Sequence, residues 1–289
     1  MLKQLKSLLF LVIIVIIVYL VKENAQEIIT TLHNHTHTLI YAIALSGATL
    51  AFQVINFLSL LPLTNSPSFI KTYHIWALAN LTNYLGPFQP GLAVRVAYFK
   101  SENIPLSVTL QTTLRQLVLS TWIALGLAGA GLFSEQHTIK EIGIGSLIIF
   151  IITPFFIRFL VAHPIKFSIF DRISLALKNF NPSFKQLLLV SGQYLCSILN
   201  IYVVYHLYGA SLAFNDAVLL AVITALSTLL ALTPNNVGVQ DLLLGYAAHL
   251  GGLSTADSIS IVLLFRIAHI AACILIYLLT LRKNIVQIT

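Results

Sequence analysis

The chain has 289 residues, of which 58% are hydrophobic and only 9% charged, and its mean hydropathy is +0.91. Soluble domains carry about 25% charged residues, so this composition excludes a soluble enzyme and reads as a polytopic membrane protein. The formal net charge of +7 belongs first to cytoplasmic loops on such a chain, and without a basic soluble face it does not suggest nucleic-acid binding.

Met1 to Ser7 carries Lys3 and Lys6 and leads into the aliphatic run Leu8–Val21. Without a small-x-small cleavage site after it, this reads as a retained signal-anchor helix with its N-terminus inside. Residues 22–38 form an external segment in which His33, His35 and His37 alternate. On an extended strand they would share a face and could hold zinc or copper. No Cys, Asp or Glu completes a ligand set, so a solvated loop is the plainer reading and no metal site is expected.

Leu39–Leu61 is long enough to span a bilayer. Thr72–Leu85 is a helix with His74, Trp76, Asn80 and Asn83, and it breaks at Gly86-Pro87-Phe88-Gln89-Pro90-Gly91. A short helix over about 91–101 follows, with Arg95 and Lys100, and Asn103–Pro105 turns the chain into the long span Leu106–Phe133, which contains Arg115. Ile142–Ala162, kinked at Pro154, and Leu187–Tyr208 are further spans. Between them, 158–185 carries Arg158, Lys166, Arg172, Lys178 and Lys185 and is assigned to the cytoplasm. The basic Arg282-Lys283 puts the C-terminus there too. Cys196 and Cys273 lie in apolar runs and read as packing residues, with no disulfide framework.

The second interruption is richer. An apolar helix over about 214–232 stops at Thr233-Pro234, and Asn235, Asn236 and Gly238 make a polar knot. A short helix with Asp241 in its first turn then runs to Gly251-Gly252, and a last apolar helix carries Arg266 well inside its length. Broken helices at membrane depth survive only where protein or a water-filled cavity covers the freed backbone. A buried arginine costs about 2.5–3.5 kcal/mol on insertion scales, so a break beside a charge points to a binding site.

The two broken stretches match in outline: Gly91–Arg115 corresponds to Gly238–Arg266 with four extra residues in the second. With Lys71 inside and 209–215 outside, the first unit enters from the cytoplasm; the second either enters and returns from outside or makes two full crossings over 216–250, which leave the same parity. The fold class is therefore all-α: one integral membrane domain, 1–289, a helix bundle with two broken, re-entrant segments in candidate inverted-repeat units 39–133 and 187–281.

Arg95, Arg115 and Arg266 are the cations in or beside the breaks. Guanidinium groups hold phosphate through paired hydrogen bonds and stay charged when desolvated, and helix N-termini near Gly91 and Gly238 would add N–H donors. The substrate-binding candidates are therefore Arg95, Arg266, Arg115, Asp241, Gly91, Gly238, Asn235, Asn236 and Gln89. The alternative is an arginine paired internally, for instance Arg266 with Asp241, bracing two helices; Asp241 itself reads equally as an ion-pair partner, an N-terminal cap or a carrier of a coupling proton. Asparagines near the breaks, Asn80 and Asn83 among them, fit better as partners for freed backbone groups. Acids inside the spans are nearly absent, so no catalytic residue, enzyme activity or cofactor is expected.

Asn83-Tyr84-Leu85-Gly86-Pro87-Phe88-Gln89-Pro90-Gly91 followed by Arg95 resembles the N-x-x-x-P-x-x-x-G-x-x-x-R element of the flippase-like transmembrane domain of lysylphosphatidylglycerol synthases and its stand-alone relatives. Thr233-Pro234-Asn235-Asn236-Val237-Gly238-Val239-Gln240-Asp241 resembles that family's T-P-G-x-x-G-x-x-E element, with Asp241 for the usual glutamate and Asn235 for the usual glycine. Arg266 falls where the family often has an arginine. The resemblance implies a lipid flippase of the cytoplasmic membrane that moves an anionic lipid or a polyprenyl-phosphate-linked sugar, without making aminoacyl lipids itself. A glycan- or lipid-synthesis enzyme is a candidate partner. The runner-up is a non-transporting membrane subunit that scaffolds a lipid-modifying or glycan-assembly complex.

Overall fold

A computed structural model describes residues 25–62, 67–84, 90–129, 137–162, 180–230 and 239–285, with 22, 132 and 177 besides. Among them the secondary structure is helical: α1 (Ala25–Asn34), α2 (Thr36–Leu60), α3 (Phe69–Thr82), α4 (Pro90–Ser101), α5 (Leu106–Ala128), α6 (His137–Ala162), α7 (Phe184–Leu207), α8 (Phe214–Leu230), α9 (Val239–Leu250) and α10 (Thr255–Ile285). Among the described residues, three stretches are long and apolar enough to cross a membrane: Thr36–Leu60, Phe184–Leu207 and Thr255–Leu281. The signal-anchor run and most of the basic segment 158–185 lie outside the described residues.

Local chemistry sets the helix ends. The residue before Pro62, Leu61, is forced out of the helical region (φ −67°, ψ 125°) and α2 stops. Ser183 and Gln186 form a reciprocal capping box that starts α7. The turn after α9 is closed by Gly252 at φ +91°, a conformation that L side chains rarely adopt. The Ser254 hydroxyl accepts the Asp257 N–H at 3.1 Å and opens α10.

The segment read as an external loop with alternating histidines is helical instead, α1 running to Asn34 and α2 starting at Thr36. His35 stands at the turn between the two helices, with its ring 6.1 Å from that of His37, so the three histidines do not form the single row that an extended strand would give. His35 stacks on Tyr208, with ring centroids 4.2 Å apart. Among the described residues, no group of three His, Cys, Asp or Glu side chains could hold a metal.

Pro154 lies inside α6 and has no N–H to give the Phe150 carbonyl one turn back. The Trp122 indole N–H of α5 donates to that carbonyl at 3.0 Å, and the two rings stack with centroids 5.0 Å apart. The proline thus opens an acceptor that a neighbouring helix fills.

Cross-helix contacts orient the bundle. At one end His35 meets Tyr208, and the Ser211 N–H donates to the Gly251 carbonyl at 3.1 Å. At the other end Gln186 of α7 donates to the Ser59 carbonyl of α2 at 3.0 Å. His74 of α3 bonds Thr280 of α10 at 2.8 Å. Helices α8 and α9 therefore leave the first end and come back to it, because Ser211 precedes α8 and Gly251 follows α9. At 12 residues, α9 rises about 18 Å, short of the ~30 Å hydrocarbon core. Helix α3 runs antiparallel to α10, from His74 beside Tyr277 to Tyr84 beside His269. It enters from the opposite end, and α4, also 12 residues long, turns back. The fold is a membrane helix bundle with two broken hairpins that enter from opposite ends.

Candidate functional site

The two hairpins meet on α10. Arg266 Nε donates to Asp241 Oδ1 at 2.7 Å, joining the middle of α10 to the first turn of α9. The carbon at the centre of the same guanidinium lies 5.9 Å from the centroid of the Tyr84 ring, at the end of α3, within cation–π range. Tyr84 is also 6.4 Å, ring to ring, from His269, one turn along α10. His269 Nε2 is 3.8 Å from Cys273 Sγ. One arginine thus touches the tip region of both hairpins at once.

Burial makes this contact consequential. The Asp241 and Arg266 side chains are 9% and 17% exposed. Breaking a buried pair by removing one partner costs about 3–5 kcal/mol, because the other charge is left uncompensated. Asp241 in the first turn of α9 also sits where a helix dipole favours negative charge. The internal pairing weighed from the sequence is thus present.

The other arginines stand elsewhere. Arg95 of α4 lies over the Trp76 ring of α3, 4.9 Å from its centroid. Trp76 packs on Phe57 and Phe99 in an aromatic cluster. The Arg95 Nε is buried and has no hydrogen-bond partner among the described residues. Arg115 of α5 lies 5.7 Å from the ring centroid of Phe180, just before α7. The structure therefore brings Arg266 and Asp241 together, holds Arg95 within the first hairpin, and sets Arg115 at the entry to α7.

Gly91 plays a different part from the one expected of it. Its N–H donates to Asn83 Oδ1 at 2.8 Å, so this donor is already occupied and does not face an anion. A Cβ at Gly91 would fall on the Ala79 carbonyl and the Asn83 side chain. Glycine is needed there for the close approach of α4 to α3. Asn80 donates to the Trp76 carbonyl at 2.9 Å, so both asparagines serve backbone groups. Gln89, Asn235, Asn236 and Gly238 lie outside the described residues.

Sequence reasoning passed over Tyr84 and His269 as site residues. His269 follows Arg266 by three residues, which places both on one helix face; that spacing was a usable signal. Tyr84 sits at a variable position of the first motif, and no local signal marks it.

A family model described as the lysylphosphatidylglycerol synthase TM region matches residues 6–276. The chain belongs to that family. No individually curated protein matches the sequence. Family and fold together make this a membrane-embedded, lipid-related domain, and both family-like elements bracket the site. The first ends α3 beside Tyr84. The second leads into Asp241, and Arg266 ties the two together.

Proposed function

We propose that this member of the lysylphosphatidylglycerol synthase TM region family is a flippase, not an enzyme. It moves an anionic lipid or a polyprenyl-phosphate-linked sugar across the cytoplasmic membrane. The observation that carries the reading is the meeting of two oppositely entering hairpins at one partly buried arginine, a layout suited to alternating access around a fixed site. Arg95, with its buried Nε, supplies a second cation for a phosphate inside the first hairpin. Lys71, Lys100 and Lys185 all sit at the end from which α3 enters, which supports a cytoplasmic assignment for that end and for the C-terminus.

The test is translocation by the reconstituted full chain in liposomes carrying a fluorescent anionic lipid, read by quenching of the outer leaflet. Arg95→Ala and Arg266→Ala, each still folded, should lower the initial rate at least tenfold. Undiminished rates in both would refute the arginine-centred site.

The Asp241–Arg266 pair favours a second reading. If the pair only braces helices, the protein is a non-transporting subunit that scaffolds a glycan- or lipid-assembly enzyme. A swapped pair, Asp241→Arg with Arg266→Asp, separates the two. Bracing survives the swap, whereas an anion site built on a guanidinium at position 266 does not.

A further inference from the structure

Asp241 occupies Arg266 in the way a ligand's phosphate would, as an oxygen anion 2.7 Å from Nε. We infer that an anion taking Arg266 displaces Asp241, and that the displaced carboxyl binds a proton, so that anion binding and proton uptake are coupled at this one pair. The inference rests on reading the site as an anion site and adds to it a coupling ion and its carrier.

The charges at the site set this outcome. With the pair closed, Asp241 and Arg266 sum to zero. An entering monoanion brings the site to a net charge of minus one, around a carboxylate that in the closed pair is 8% exposed on α9. A buried carboxylate that has lost its counter-ion is among the most costly groups a protein can hold, and it neutralises by binding a proton. With the proton bound, the site returns to zero. Phosphate competes well for the guanidinium because it can offer two oxygens in the plane of the fork.

The surroundings assign the proton to Asp241. The titratable groups near the pair are Tyr84, from the end of α3, and His269 and Cys273, further along α10. Helix α8, also packed against α9, carries Asp216 as its only acid, in its first turn at the first end. From α7, Tyr205 presents its hydroxyl to the Leu244 carbonyl, one turn along α9 from Asp241. Among the described residues, His269 is the competing proton acceptor close to the pair, and the Asp241→Asn variant separates the two.

The test uses the full chain in detergent and a short-chain phosphatidylglycerol, a phosphodiester that stays ionised across the working pH range. Any proton taken up then belongs to the protein. Calorimetric titration in buffers of differing ionisation enthalpy counts it. The expected result is uptake of about one proton per lipid bound, with the apparent affinity falling about tenfold per unit rise in pH. In Asp241→Asn, binding should be tighter, independent of pH and free of proton uptake. Wild-type binding with no proton uptake overturns the coupling and leaves the anion site standing. Uptake that persists in Asp241→Asn also overturns it, transferring the proton to His269. Absence of wild-type binding overturns the coupling together with the anion reading. The wild-type proton count needs no variant, so a failure of Asp241→Asn to fold leaves the test intact.

Discussion

Asp241 and Arg266 stabilise the bundle only as a pair. Alone, either would be an uncompensated charge among apolar helices. Asp241→Ala should therefore lower stability by about 3–5 kcal/mol, whereas replacing both residues by alanine should cost clearly less than the sum of the two single changes. Denaturation of the purified protein across this four-member cycle checks it; strict additivity would show that the 2.7 Å contact carries no coupling. Gly91 makes a second claim at this scale. Gly91→Ala drives a methyl group into the Ala79 carbonyl, and overpacking of this kind costs about 1–3 kcal/mol. A lowered melting temperature is expected, and an unchanged one would mean that α4 can slide away from α3 freely. Nothing in the sequence around Gly91 distinguishes a glycine that opens an anion site from one that lets two helices touch. The distinction needs the position of Asn83, whose side chain takes the N–H.

Between helices, α5 and α6 show how a break in hydrogen bonding is made good from outside. Pro154 leaves the Phe150 carbonyl without its usual donor, and Trp122 supplies one. Trp122→Phe keeps most of the ring stacking and removes the N–H, so it should destabilise by about 1–3 kcal/mol, the desolvation penalty of an orphaned buried acceptor. Adding Pro154→Ala should recover part of that loss, because the substituted residue regains a backbone N–H that can bond the Phe150 carbonyl within the helix. Thermal unfolding of the single and double variants decides the matter, and no recovery would mean that restoring the backbone N–H does not pair the Phe150 carbonyl. Pro154 was visible in the sequence as a proline inside an apolar span. Its partner was not, because Trp122 lies in another helix.

Across the whole molecule, the two hairpins should open toward opposite sides of the membrane. Cysteines placed at Ser211 or Ser254, in a background without Cys196 and Cys273, should react with an impermeant maleimide from one side. Cysteines at Lys71 or Lys100 should react from the other. Labelling of all four from the same side would contradict the arrangement of α3 and α9 against α10. The alternation of spans and charged loops already predicts this sidedness. The end of α9 at Gly251-Gly252 is also legible in the chain.

Local chemistry is enough to specify most of the architecture. Apolar runs of bilayer length, proline and glycine at the breaks, and serine caps each act within a few residues, so the helices and both interruptions can be read in order along the chain. The histidines at 33–37 mark the limit of that reading, since an alternating pattern has meaning only once strand or helix is decided. Packing decides which of the pairings that the sequence leaves open is made. Arg266 finds Asp241 across 25 residues of chain, and Tyr84 reaches the same guanidinium from the other hairpin. These contacts depend on the antiparallel register of α3, α9 and α10, which is a sum of many weak apolar contacts along whole helices, and no motif at either end encodes it.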